Sequence, residues 1–394
     1  MISVDEALTR LFGLCGTLPG ETVPLRQAAN RVLAEPPVAT RDQPPFAASA
    51  MDGYAIRESD HEPAARLRVI GEAAAGHAFS GHVGRGEAVR IFTGAPLPAG
   101  ADRVVLQEDV RRSADRIILG DRLDEGGNVR ARGQDFRLGD RLAAPRLLRP
   151  ADLALIAAMN VAEVKVARRP VVALIATGDE LVMPGAQPRP DQIIASNSFA
   201  LAAMAEAAGA EVRMLPIAPD GEKALRFTLD LARGADVIVT IGGASVGDHD
   251  LVGRVAGDAG LKQAFYKIAM RPGKPLMAGK IDRSILLGLP GNPVSAIVCG
   301  HLFMCPVLRA LQGLPPQPAP SRLAELATPV PANGMRAHYM RARVDDTEGK
   351  AYIHPFERQD SALLRVLSEA NALLIRPVDD PARDRGAKVR YIAL

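Results

Sequence analysis

The sequence predicts a multidomain α/β and β protein, in which a central doubly wound α/β unit is joined to smaller β-rich units. Three observations predict it. Between residues 169 and 314, near-continuous apolar runs alternate with helical stretches that end at Gly209, Gly234 and Gly260. Runs that are apolar on both faces and linked through helices argue for a parallel sheet covered on both sides. On either side of this region the texture changes to short β-like runs broken by Gly, Pro and Asp. Finally, 394 residues exceed one domain at roughly 150 residues per domain.

In chain order, residues 4–14 form an amphipathic helix and 25–33 read as a second, capped helix. From 44 to 139 the runs 66–71, 88–92, 103–107 and 116–119 read as strands of a small all-β domain. Helix returns over 150–159, with Pro150 at its start and Asp152 in its first turn. The α/β unit has expected strands at 171–176, 211–217, 237–241 and 264–268, with helices at 198–208, 222–233 and 250–259. A short apolar hairpin follows, its second strand at 285–289. A helix then opens with Asn292 at the N-cap and Pro293 at the first helical position, where its missing N–H costs nothing, and continues through 294–302. The Pro-rich segment 314–320 closes the unit, and the chain from 321 on is again mostly strand. The expected domains are 1–43 with 140–168, then 44–139, 169–314 and 318–394.

Composition excludes several classes. Apolar content of 47% and charged content of 24% are ordinary for a soluble globular chain. A net charge of +3 with no block of like charge gives no reason to expect nucleic acid or membrane, and the absence of Trp counts against base stacking. The N-terminus lacks the pattern of a secretion signal, and no apolar run approaches the roughly 20 residues of a membrane span. Three cysteines form no disulfide framework, so a cytoplasmic setting is expected.

The chemistry gathers at the carboxyl ends of the expected strands, where such sheets bind ligands. Two anion-site signals flank the apolar hairpin: Arg271-Pro272-Gly273-Lys274-Pro275, with two cations on a stiff backbone, and Leu289-Pro290-Gly291-Asn292-Pro293-Val294-Ser295-Ala296, where a helix opening leaves amide N–H groups for an oxyanion. Thr177-Gly178-Asp179-Glu180-Leu181 places adjacent carboxylates after another strand, and Pro219-Asp220-Gly221 adds one more. In Gly242-Gly243-Ala244-Ser245-Val246-Gly247-Asp248-His249-Asp250, three glycines let the backbone approach a ligand and acids close the loop. Lys267 ends the strand at 264–268. Each signal alone has an ordinary explanation as a turn, a cap or a snorkelling lysine; their coincidence at one sheet edge favours a site. Carboxylates beside a phosphate site would repel the ligand unless Mg²⁺ bridged them, so a phosphate-bearing substrate with Mg²⁺ is expected. Cys299, His301 and Cys305 share one apolar helix with the wrong spacing for zinc, and residues 290–295 lack the adjacent Lys-Ser/Thr pair of a P-loop.

These motifs, together with Ser49-Ala50-Met51-Asp52-Gly53-Tyr54-Ala55, Thr93-Gly94-Ala95-Pro96-Leu97-Pro98 and Gly127-Asn128-Val129-Arg130 followed by Arg132-Gly133 and Asp135, resemble the MoeA family of molybdopterin molybdenumtransferases along the whole chain. The resemblance, which extends to the gephyrin E domain, implies an elongated four-domain homodimer with a central MogA-like domain. It implies insertion of molybdate into adenylylated molybdopterin, with Mg²⁺ present and AMP released. By motif, Glu180, Asp220 and Asp250 line the pterin and nucleotide pocket, with Thr177, Gly178, Asp179, Gly242, Gly243, Ser245, Gly247, Lys274, Pro290, Gly291, Asn292 and Ser295 around it. Asp52, Thr93 and Asp135 come from the small β domain across a composite site. Lys267, Arg271, Arg341 and Ser361 match the molybdate site, and Glu180 and Asp250 are assigned to Mg²⁺. Arg271 stands where many members have Lys, Ala244 where Val is frequent, and Gln359-Asp360-Ser361 where Gln-Gly-Ser is frequent. A MogA-type enzyme as supplier and molybdoenzymes as acceptors are the implied partners. The alternatives are a MogA-like adenylyltransferase, a non-catalytic scaffold or carrier as in gephyrin, or a relative handling tungstate, whose charge and size match molybdate.

Overall fold

Strand β1, Val171–Ala176, is buried at every position, as a strand with helices on both faces must be. It belongs to a sheet whose other members are β2 (Glu211–Met214), β3 (Val237–Ile241), β4 (Lys262–Tyr266), β5 (Met277–Ile281) and β6 (Ser284–Leu289), in the order β2-β1-β3-β6-β5-β4. The computed structural model describes residues 1–243, 251–347 and 349–394. Contacts divide it into one unit of Met1–Glu21, Asn30–Ala34 and Val166–Leu394 and another of Thr22–Ala29 and Glu35–Lys165.

In the first unit, β2, β1, β3 and β6 run parallel, with Val172 opposite both Val212 and Val237. The sheet is mixed, however, and not wholly parallel: β5 pairs antiparallel with both β6 and β4. Only Asp282 and Arg283 separate β5 from β6, and so short a link forces antiparallel pairing. The expected strand at 264–268 is displaced to Lys262–Tyr266, because Lys267 takes the left-handed conformation at φ 69° and ends the ladder.

Side-chain alternation sends the strands' residues into two cores. Val172, Leu174, Val237, Val239, Leu287 and Leu289 meet helices Val4–Phe12, Asn197–Ala207 and Pro293–Cys299. Ala173, Ile175, Ile238 and Leu286 face helices Glu222–Leu231 and Leu251–Asp258. The helix opening at Pro293 runs on through a widened π turn at Gly300–Met304 into Cys305–Leu311. Pro306 has no N–H to give a straight α-helix, and the widened turn just before it accommodates the ring. This corrects the expectation on apolar runs: Pro293–Leu311 is long and apolar enough to cross a membrane, but 78% of its most apolar stretch is buried, which makes it a core helix.

Further along the same unit, strands Ser321–Leu326, Ala337–Thr347, Lys350–Pro355, Ala372–Arg376 and Lys388–Ala393 pair in a closed cycle, forming a small barrel. Met270–Arg271 adds to it in parallel, with Arg271 opposite His338.

The second unit carries a six-stranded sheet with Gly53–Ile56 between Arg103–Leu106 and Glu87–Ile91, followed by Arg66–Ala73, Arg116–Leu119 and Val110–Ser113. Tyr54, Ile56 and Ile117 pack on one face, Ala55, Val89 and Ile91 on the other. Helix Pro150–Ala158 begins at its proline, with Asp152 accepting from the Arg149 amide at 2.9 Å. The helix expected over 25–33 is absent. Leu25–Gln27 forms a single 3₁₀ turn, Asn30 adopts φ 59°, and Val32–Leu33 is a buried strand, so local helix propensity yields to the left-handed Asn and to β pairing.

Candidate active site

The carboxyl ends of β1, β3 and β6 open on a cavity of about 1020 Å³. Its floor is main chain. After β1, Thr177 donates its amide to the Ile241 carbonyl at 3.0 Å, and Gly178 follows with φ 143°. The Glu180 carboxylate folds back over Gly178, where a Cβ would meet its Cδ at 2.7 Å. Gly242, at φ 91°, is pressed on the same loop: a Cβ there would lie 2.9 Å from the Thr177 carbonyl oxygen. The two strand-end loops therefore touch through backbone at Gly242, where a side chain would part them, while a side chain at Gly178 would displace the Glu180 carboxylate.

The walls divide by chemistry. Glu180, Asp220 and Glu222 are the acids among the described lining residues, and Arg254 and Lys274 are the cations. Asp179 braces this edge, its Oδ1 accepting from the Asp220 amide at 2.9 Å. Leu181, Ile193 and Ile194 form an apolar wall, with Ile193 57% exposed, a surface suited to a flat heterocycle. Arg254 Nε lies 3.2 Å from Glu222 Oε1, linking helix Leu251–Asp258 to helix Glu222–Leu231.

On the remaining side stand Pro290, Gly291 and Asn292. Asn292 is the N-cap residue, but its side chain makes no capping bond; Asn197 Nδ2 instead donates to the Gly291 carbonyl at 2.7 Å. The helix start is less open to an anion than the sequence suggests. Pro293 has no N–H, and the Val294 amide donates to the Ser361 carbonyl at 3.0 Å. Ser361 thus meets the site's edge through its main chain, and Ala362 lines the cavity. Ser295 is buried in the helix.

Arg341 governs this last loop. It is 2% exposed. Its Nη1 donates to the Asp360 carbonyl at 2.6 Å, Nη2 to the Arg358 carbonyl at 3.3 Å, and Nε and Nη2 to Gln359 Oε1 at 3.3 and 3.2 Å. Burial lowers its pKa, with Asp360 opposing and Arg271 reinforcing the shift. The nearby His338 is held neutral, its pKa pushed down to about 4 by burial first and then by Arg271, Arg341, Arg376 and Arg336. Arg271 itself is exposed.

The cavity therefore gathers Thr177, Gly178, Glu180, Asp220, Gly242, Gly243, Lys274, Pro290, Gly291 and Asn292, with Asp179 and Ser295 adjoining it. The loop expected to bring two cations together divides, Lys274 facing the cavity and Arg271 joining the barrel sheet beside His338. Lys267 stands apart from the lining, its Nζ 4.8 Å from the Tyr266 ring centroid. Ser245, Gly247 and Asp250 lie outside the described residues.

In the second unit, Asp52 and Thr93 meet. Asp52 Oδ1 accepts from the Thr93 amide at 2.7 Å and from its hydroxyl at 2.9 Å. Those bonds, the amide first, hold the Asp52 carboxyl below the usual carboxylate range, with Arg90 assisting. Asp135 sits on an exposed loop, its amide bonded to the Gln43 carbonyl at 2.9 Å.

Sequence reasoning missed Glu222 and Arg254. Glu222 directly follows Pro219-Asp220-Gly221, and Arg254 lies four residues, about one helical turn, beyond Asp250. That spacing was the available signal. As for a metal, no three His, Cys, Asp or Glu side chains among the described residues are grouped to hold one. The carboxylates of Glu180, Asp220 and Glu222 in the cavity still suit Mg²⁺, which takes one or two carboxylates and completes its shell with water and substrate phosphate.

Comparison with known proteins covers nearly the whole chain. Residues 2–160 match the MoeA N-terminal region (domain I and II), 173–310 a probable molybdopterin binding domain, and 324–394 the MoeA C-terminal region (domain IV). The molybdopterin molybdenumtransferase of Nostoc sp. is 35% identical over 410 residues, covering 100% of this chain and 94% of that protein. Its Haemophilus influenzae counterpart is 36% identical over 358 residues, covering 90% and 87%. The crystal structure of the molybdopterin biosynthesis moeA protein from Pyrococcus horikoshii OT3 superposes with a TM-score of 0.86 at 28% identity, covering 100% of both chains.

Proposed function

Since the chain belongs to the MoeA family of molybdopterin molybdenumtransferases, and is thereby a transferase of molybdenum cofactor biosynthesis, we propose that it binds adenylylated molybdopterin in the cavity of the first unit, inserts molybdate at the dithiolene and releases AMP. One observation carries this reading: backbone-lined strand ends, acids, two cations and an apolar wall share one cavity of about 1020 Å³. The glycine floor lets phosphate oxygens approach amide groups, and the apolar wall takes a ring system.

Glu180 is the central acid, held against the floor at Gly178. Glu180 and Asp250 would hold Mg²⁺, which supplies charge neutralisation between carboxylates and phosphate oxygens. Asp220 faces the same space, and Lys274 balances phosphate charge from the opposite loop. Lys267 and Arg271 are assigned to molybdate; Arg341, from its strand, holds the 358–360 loop and so keeps Ser361 at the helix start beside the cavity. A cytoplasmic homodimer is part of the proposal, in which a second copy supplies Asp52, Thr93 and Asp135. A MogA-type enzyme would deliver the adenylylated pterin, and molybdoenzymes would receive the product.

The test is AMP release from adenylylated molybdopterin by the purified protein, with Mg²⁺, with and without molybdate. Molybdate-dependent release supports insertion; binding without release favours a scaffold, and release driven only by tungstate reassigns the metal. Glu180→Gln should abolish turnover and leave thermal unfolding unchanged, whereas normal release would sink its role. Mixing inactive Glu180→Gln and Asp52→Asn subunits should restore activity if sites are shared between copies, and should restore none if each copy is self-sufficient.

A further inference from the structure

The geometry points to Arg254 as the residue that grips the phosphate of the departing nucleotide, with Glu222 as the partner it exchanges for that phosphate. The inference rests on the reading of the cavity as the adenylylated-pterin site and names the residues that serve the nucleotide end.

Both side chains line the cavity, and their 3.2 Å contact is half-exposed, at 58% for Arg254 and 56% for Glu222. An ion pair this open to water is worth little, so breaking it costs little. A phosphate monoester is a dianion whose paired oxygens can meet the planar guanidinium fork bidentately, whereas Glu222 meets it through one carboxylate oxygen at 3.2 Å. Glu222 is not stranded when Arg254 leaves, because it occupies the first turn of helix Glu222–Leu231, where the amide dipoles favour an anion. The exchange is therefore inexpensive at both ends. Arg254 and Lys274 are the cations among the described lining residues, and they stand on different elements, so an anion in the cavity has charge to meet on two sides. Glu222 and phosphate compete for the same guanidinium, so Glu222 recaptures Arg254 when AMP departs, which assists product release.

The two partners of one ion pair should then act with opposite sign. AMP binding to the full chain with Mg²⁺ is measured by calorimetry. Arg254→Gln should weaken it about ten- to hundred-fold, the loss of a charge-assisted phosphate contact. Glu222→Gln should tighten it about two- to five-fold, since it removes a competitor of surface-pair strength. In the Arg254→Gln background, the Glu222→Gln gain should vanish. Unchanged AMP affinity in Arg254→Gln overturns the assignment. A Glu222→Gln gain that persists without Arg254 also overturns it, because Glu222 would then act through its own charge. Failure of the unaltered protein to bind AMP overturns the nucleotide reading of the cavity and this assignment with it.

Discussion

Replacing Arg341 by Met keeps the length and apolar volume of the side chain and removes its donors. Three acceptors lose a charged partner: the carbonyls of Arg358 and Asp360 and the Gln359 side-chain oxygen. Bonds from a charged donor contribute about 1.5–3 kcal/mol each, which sets an upper bound. Two effects reduce it. Arg358 and Asp360 are exposed, so their carbonyls can turn to water, and Gln359 keeps its bonds to the backbone of residue 341 at 3.0 Å in both directions. The substitution also relieves the burial of a charge that is 2% exposed. The net cost should be about 2–4 kcal/mol, read as a shift of the urea midpoint with the slope unchanged. Because the freed loop carries Ser361 against the Val294 amide and Ala362 into the cavity wall, the KM for the pterin substrate should rise while the KM for molybdate stays constant. A variant of unaltered stability with a tenfold higher molybdate requirement would refute the reasoning, since the guanidinium would then be touching the oxyanion.

Gly178→Ala should cost about 1–3 kcal/mol for a side chain at φ 143°, and it must also displace the Glu180 carboxylate, so AMP release should fall further than stability does. Retained activity would show that the Glu180 position is not needed. His338, buried and with a pKa of about 4 against an ordinary 6.5, favours the neutral ring in the fold. Its contribution is complete above pH 6.5 and is lost as pH falls towards 4, a total of about 3 kcal/mol. The stability difference between unaltered protein and His338→Gln should therefore shrink across that window in chemical-denaturation curves; a constant difference contradicts it. Thr93→Val removes one of the two donors on Asp52 but not the amide, so the acidic limb of the rate profile should move up in pH part of the way towards an ordinary carboxylate. No movement would mean that Asp52 does not control that limb.

The α/β core was legible because its strands are apolar on both faces and its helices end at glycines, signals that belong to single segments. The glycine-rich strand ends were legible for the same reason, and Gly178 and Gly242 do lie on the cavity floor. Pairwise facts were not legible. The antiparallel direction of β4 depends on its partner β5, and nothing within either segment specifies the sense of pairing. Arg341 matched the molybdate site by motif, and nothing in its own segment signals that its donors meet carbonyls 17 to 19 residues away. Arg254 and Glu222 fall within expected helices, and the folded arrangement of those helices turns both to the cavity. Residues 25–33 misled because their helix-favouring composition was outweighed by the reversal at Asn30 and the burial of Val32 and Leu33.

After β4 the chain leaves the central sheet, lends Met270 and Arg271 to the barrel, and returns as β5; later the helix start at Val294 is fastened to Ser361. The polypeptide thus stitches sheet and barrel together twice, once by a strand and once by an end-on amide bond. Such stitching couples their unfolding, so the two should melt in a single cooperative step. It also constrains engineering. A barrel grafted from a relative must bring segments matching both Ala337–His338 and the 358–362 loop, or the recipient's sheet will lose an anchored crossover along with one wall of its cavity.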